Sequence, residues 1–209
     1  MALKTQGTFV RVTSATIAPD NITAITAAAP PVVTCGTHGI ANGAIVVIQN
    51  AGGMVQLNNR AYVVANVSGT TLELKGIDAT LYTPYTSGGT VTEQTMLQIG
   101  EVTDIQLFQG ESAEIDTTHL QSVGVSRITG IPDPGNCSIN CLVITDAGQA
   151  RLQALYDSLG FAAFSVTRSD GLVAAFYGQV KSFPASFSIN DVVKGTINLL
   201  LAGGRSWFA

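Results

Sequence analysis

Residues 136–169 read NCSINCLVITDAGQARLQALYDSLGFAAFSVTRS, and the change of period inside this stretch decides the fold. Cys137, Ile139, Cys141 and Val143 alternate with Ser138 and Asn140, the two-residue period of a strand. From Asp146 the period lengthens. Leu152, Leu155, Tyr156 and Leu159 fall at i, i+3, i+4 and i+7, the stripe of a helix over about 146–159. Asp146 with Gln149 three residues on predicts a capping pair at its start, and Gly160 a C′ residue at its end. FAAFSVTRS then returns to aromatic and β-branched strand chemistry. One amphipathic helix among strands predicts a mainly β protein in which the helix covers a sheet or seals an open end.

Outward from this stretch the pattern repeats without further helices. GTFVRVTSAT, LQIGEVTDIQLFQ, VGVSRITGI, LVAAFYGQVKSF and VKGTINLLLA all read as strands joined by short polar turns. Together, residues 1–20 and 93–209 predict an antiparallel sandwich or barrel. Residues 21–92 have a different texture, with short apolar runs (VVT, AIVVIQN, RAYVVANV, TLELKG) cut by turn dipeptides such as Asn42-Gly43 and Ser68-Gly69. Arg60, Glu73, Lys75 and Asp78 are its only charges. It reads as a small inserted all-β domain whose ends, near Asp20 and Glu93, lie close together.

Composition then limits what such a body can be. Charged residues make up 11% of the 209, against about 25% in an ordinary soluble domain. Hydrophobic residues make up 46%, and the mean hydropathy is +0.33. A spanning helix needs about 18 consecutive apolar residues, and INLLLAG, residues 197–203, is the best run on offer, so membrane insertion is not expected. MALKTQGTFV lacks the apolar core of a secretory signal. Three cysteines are no disulfide framework, and on one strand Cys137 and Cys141 would stand about 13 Å apart, beyond the ~7 Å limit for a bridge. Burial of the uncharged surface in a permanent assembly is the remaining explanation. The net charge is −4 and the ten basic residues are scattered, unlike the clustered cations that hold phosphates.

Only one segment crowds reactive groups together. GESAEIDTTHLQS, residues 110–122, holds Glu114, Asp116, Thr117, Thr118 and His119. A hydrolytic site needs such groups to converge in a pocket, each activating or orienting the next. A strand instead places Glu114 and Asp116 on one face about 7 Å apart, with Ile115 opposite, which predicts a polar strand at a sheet edge. Cys35 and His38 are near neighbours, but no CxxC or HxxH accompanies them to complete a metal site. NAGGM, SGG and LAGGRSW lack the dinucleotide fingerprint and the phosphate-loop lysine. No catalytic, metal or cofactor-binding site is expected. Trp207 and Phe208 are aromatics at a terminus, which dock on their own subunit or on a neighbour.

Three stretches carry a family likeness: MALKTQGT, IGEVTDIQLFQGESAEIDTTHLQS and FPASFSINDVVKGTINLLLAGG. With the strand, single helix and strands between them, the outer body resembles the tail tube proteins of long, flexible-tailed bacteriophages. Residues 21–92 are similar to the small β modules named after a half-domain of the ubiquitin-activating enzyme. The resemblance implies hexameric rings stacked into a hollow virion tube, with DNA passing through the lumen without tight binding. It also implies tape measure, tail terminator and distal tail or baseplate proteins as partners, synthesis in the host bacterial cytoplasm, and an outward-projecting module. The implied contact segments are Lys4, Thr5, Gln6 and Gly7; Glu114, Asp116, Thr117, Thr118 and His119; and Trp207 with Phe208. Competing expectations are a host-surface glycan-binding component acting through the module, the tube of a contractile injection or type VI secretion machine, and a hydrolase using Glu114, Asp116 or His119.

Overall fold

The computed structural model describes residues 6–110, 112–121, 123–131, 133–189 and 191–203. Strand β1 (Phe9–Thr16) leads into β2 (Asp20–Ile25), β3 (Val32–Cys35), β4 (Ile45–Gln49), β5 (Arg60–Ser68), β6 (Thr71–Leu74) and β7 (Thr90–Gln98). The remainder is β8 (Val102–Gln109), β9 (Glu114–Asp116), β10 (Arg127–Thr129), β11 (Asn136–Leu142), helix α1 (Ala147–Ser158), β12 (Phe161–Thr167), β13 (Val173–Ser182), β14 (Ala185–Ser186) and β15 (Lys194–Leu201). The protein is thus mainly β with one packed helix, as its periodicity predicts.

The inserted half closes on itself. Its strands run β2-β3-β6-β5-β4-β7, and β7 returns to β2 through Asp20 opposite Val91 and Asn21 opposite Thr90. The result is a six-stranded antiparallel barrel filled by residues such as Ile48, Met54, Tyr62, Leu72 and Leu74. A closed barrel leaves no unpaired edge. Apolar periodicity predicts β3 to β6 but not β2 or the start of β7, where Thr and Asn weaken the apolar signal. The boundary between Thr92 and Glu93 falls inside β7, whose first half pairs with β4 and whose second half pairs with β1.

The outer half is a six-stranded antiparallel sheet, β1-β12-β13-β15-β11-β8, curled around a second core. Cys137, Ile139 and Cys141 point into that core beside Phe164, Phe176, Ile197 and Leu199. Both thiols are buried and unbridged. LQIGEVTDIQLFQ, one strand by composition, is two: Glu101 adopts a left-handed φ of 52° and turns the chain from β7 into β8.

Helix α1 packs against β1, β7 and β13. Asp146 caps it, accepting from the backbone N–H groups of Gly148 and Gln149 and also from Gly100. The Gln149 side chain does not reciprocate the cap. It accepts from Ile144 N–H and donates to the carbonyls of Leu142 and Gly100, satisfying two chain corners at once. Only glycine fits at 148, because a Cβ there would stand 2.3 Å from the Gln98 carbonyl oxygen. At the far end Leu159, not Gly160, takes the left-handed position, with φ 52°. Leu152 and Leu155 are buried, whereas Tyr156 and Leu159 are exposed, so half of the predicted stripe faces the core.

The halves meet at a third, smaller core. Ile45, Val47, Ala61 and Val63 from β4 and β5 pack on Ala163 of β12 and Ala175 of β13. Strand β4 reads IVVI without alternation because one set of side chains fills the small barrel and the other fills this joint.

Candidate assembly surface

The segment with the crowded polar groups folds as one arm of a hairpin. β9 pairs with β10 so that Glu114, Ile115 and Asp116 lie opposite Thr129, Ile128 and Arg127. Each polar group of the arm is occupied in holding the hairpin. Arg127 donates to Glu114 at 2.9 Å, with both side chains more than half exposed, so water screens the pair and its stabilisation is small. The Asp116 carboxylate accepts from the Thr118 N–H at 2.8 Å, and hydrogen bonds from the Thr118 side chain and backbone hold its carboxyl below the ordinary value. Thr117 donates to Ser126 Oγ, Ser126 N–H donates to Thr118 Oγ1, and His119 Nδ1 accepts from the Gln121 N–H. These groups are brought together along an exposed ribbon.

What the sequence reading missed is the apolar character of the same hairpin. Leu120 and Val123 at its tip are 107% exposed, and Val125, Ile128 and Ile131 are exposed beside them. A run of exposed aliphatic side chains on a projecting element marks a contact surface. The visible signal was VGVSRITGI, which alternates as a strand does but has no core to face.

A second apolar projection lies at the opposite end of the outer half. Phe187 and Ile189, in the loop between β14 and β15, are 78% and 95% exposed. The hairpin enters β11 at Asn136, the loop enters β15 at Lys194, and Asn136 lies opposite Leu200 while Leu142 lies opposite Lys194. The two projections therefore leave opposite ends of one antiparallel pair, about 20 Å apart along the strands.

Between them runs an open edge. β8 pairs with β11 on one side, and among the described residues no strand pairs with its other side. Gln6 and Gly7 lie across from it, lining with Val102, Thr103, Asp104 and Ile105 a cleft of about 430 Å³. Gln6 and Gly7 thus belong to this edge and not to the hairpin. Lys4, Thr5, Trp207 and Phe208 lie outside the described residues.

The other candidate chemistry stays dispersed. Burial, with the Asp20 carboxylate adding to it, pushes the Cys35 thiol up to about 11, which keeps it protonated and a poor nucleophile. Neither ring nitrogen of His38 has a hydrogen-bond partner among the described residues. Among those residues no group of three His, Cys, Asp or Glu side chains could hold a metal ion, and no helix is long and apolar enough to cross a membrane.

Against known proteins, no curated protein matches the chain. A family model described as the ubiquitin-activating enzyme E1 FCCH domain matches residues 28–95. The match spans β3 to β6 and residues 90–95 of β7, within the inserted barrel.

Proposed function

We propose that this protein is a structural subunit that assembles into stacked rings, forming the hollow tail tube of a long-tailed bacteriophage. The observation that carries the reading is the pair of exposed apolar projections, Leu120 with Val123 at one end of the outer half and Phe187 with Ile189 at the other. Two different patches at opposite ends of one subunit make head-to-tail contacts, which propagate without closing. The side of β8 away from β11, which no strand pairs with among the described residues, adds a lateral contact of the kind sheets use to join. The inserted barrel has no open edge, so assembly rests on the outer half and the module sits beside it as a decoration. Hexameric rings, a tape measure protein within the tube, terminator and baseplate proteins at its ends, and passage of DNA follow from the family resemblance. The scattered cations suit a lumen that lets DNA slide.

Negative-stain microscopy and sedimentation velocity of the purified full chain over a concentration series test this reading. The expected outcome is rings or tubes that grow with concentration. Monodisperse monomers at every concentration would sink it.

A further inference from the structure

The joint between the two halves leaves a groove of about 270 Å³ on one flank, and among the described residues its only charged lining residue is Arg11. Val10 and Val12 point into the outer core, so alternation turns Arg11 to the other face of β1. Arg11 is half-buried there, yet among the described residues its guanidinium makes one side-chain hydrogen bond, a long 3.3 Å contact from Nη1 to Thr167 Oγ1. The centre of the Phe9 ring lies 5.7 Å from its central carbon, within cation–π range. Among the described residues no Asp or Glu oxygen lies within ion-pair distance of it. Ser165, directly opposite Arg11 in the β1–β12 ladder, is only 2% exposed and also lines the groove. No other described residue hydrogen-bonds its hydroxyl. Gln94 lines the groove too, but its amide is engaged with Thr13 and Thr92.

A guanidinium carries five donors in a planar fork that matches a carboxylate. The donors that Thr167 does not take open to the groove, since no Arg11 nitrogen is both buried and unpartnered, and among the described residues the groove wall supplies no acid to meet them. From this, the geometry points to a carboxylate-binding site: Arg11 takes one carboxylate in a forked contact, while the Ser165 and Thr167 hydroxyls stand beside it as further donors. The volume fits a single acidic side chain or a small free carboxylate. The chain has 14 acidic against 10 basic residues, so a second copy is itself a source of such side chains. This site is independent of the tube reading.

Acetate is the probe. In dilute, monomeric protein at constant ionic strength, acetate should shift the Arg11 Nε–H and the Ser165 and Thr167 amide signals saturably, whereas chloride should not. Arg11→Gln should weaken acetate binding at least about tenfold, the size of one lost charge-assisted contact, and Arg11→Lys should weaken it less. Both variants should keep the wild-type fold by amide fingerprint. If the natural source is a second copy, acetate will also suppress concentration-dependent association and Arg11→Gln will mimic it. If the source is a free small carboxylate, association will be unchanged while binding persists. Acetate shifts that match those of chloride, or that survive in Arg11→Gln, would overturn the proposal. Arg11→Ala, checked for the same fingerprint, guards against a Gln side chain that replaces the lost donors.

Discussion

Cys137 shows how much one residue's surroundings decide. Burial pushes its thiol up to about 12 from an ordinary 9.0, and Cys35 goes up to about 11. Below pH 9 both the folded and unfolded chains hold these protons. Above it the unfolded chain releases them while the folded chain does not, so unfolding is favoured and stability falls between pH 9 and 12. We expect urea midpoints to drop from about pH 8 to about pH 10.5, and to drop less in Cys137→Ala. An equal drop in that variant would show that the thiol is not responsible. The burial of Cys137 and Cys141 was legible in the alternation of NCSINCL. The task of Gln149 was not, because the corners at Gly100 and Leu142 that it satisfies are distant in sequence and come together only when the sheet curls. Leu159 at a left-handed position was hidden for a local reason: Gly160 has the better propensity, yet the chain turns one residue earlier, with the Leu159 and Gly160 N–H groups donating back to the carbonyls of Tyr156 and Leu155.

At the scale of elements, the hairpin of β9 and β10 is stabilised from within by its polar arm and offers its apolar tip to a neighbour. Leu120→Asp with Val123→Asp should therefore abolish rings and tubes in the microscope. Each fully exposed position changes stability by no more than about 0.5 kcal/mol, so the melting temperature of the double variant should move by about 4 °C at most. Tubes of normal length from the double variant would refute the hairpin as a contact element. Strand periodicity made most of this architecture readable. It failed at β2, where Ile22 and Ile25 stand three apart because the ladder to β3 shifts register between Ile22 and Ala24. The unbroken apolar run of β4 was itself informative, since it marks a strand buried on both faces, and the joint with β12 and β13 is what covers the second face.

For the whole molecule, the inserted barrel is welded to its host and not merely tethered. Excising residues 21–92 would remove the first three residues of β7 and uncover Met96, Ala163, Ala175 and Tyr177, which the joint now covers. We expect a variant joining Asp20 to Glu93 to melt well below the full chain and to bind a hydrophobic dye. Scanning fluorimetry with and without the dye checks this, and an unchanged melting temperature would show that the joint contributes little. A test of what the module does in an assembly is therefore better made by substitutions on its outer surface than by deletion.

The two-sided use of β7 also orders events in time. Residues 20–94 can close their barrel from neighbouring strands, while the other flank of β1 must wait for β12, whose Ala163 lies 150 residues further on from Thr13. Local closure is fast and distant closure slow, so a chain emerging from the ribosome finishes the insertion first. The second half of β7 is then already extended beside it, a ready-made template onto which β1 docks before the rest of the outer sheet has been synthesised.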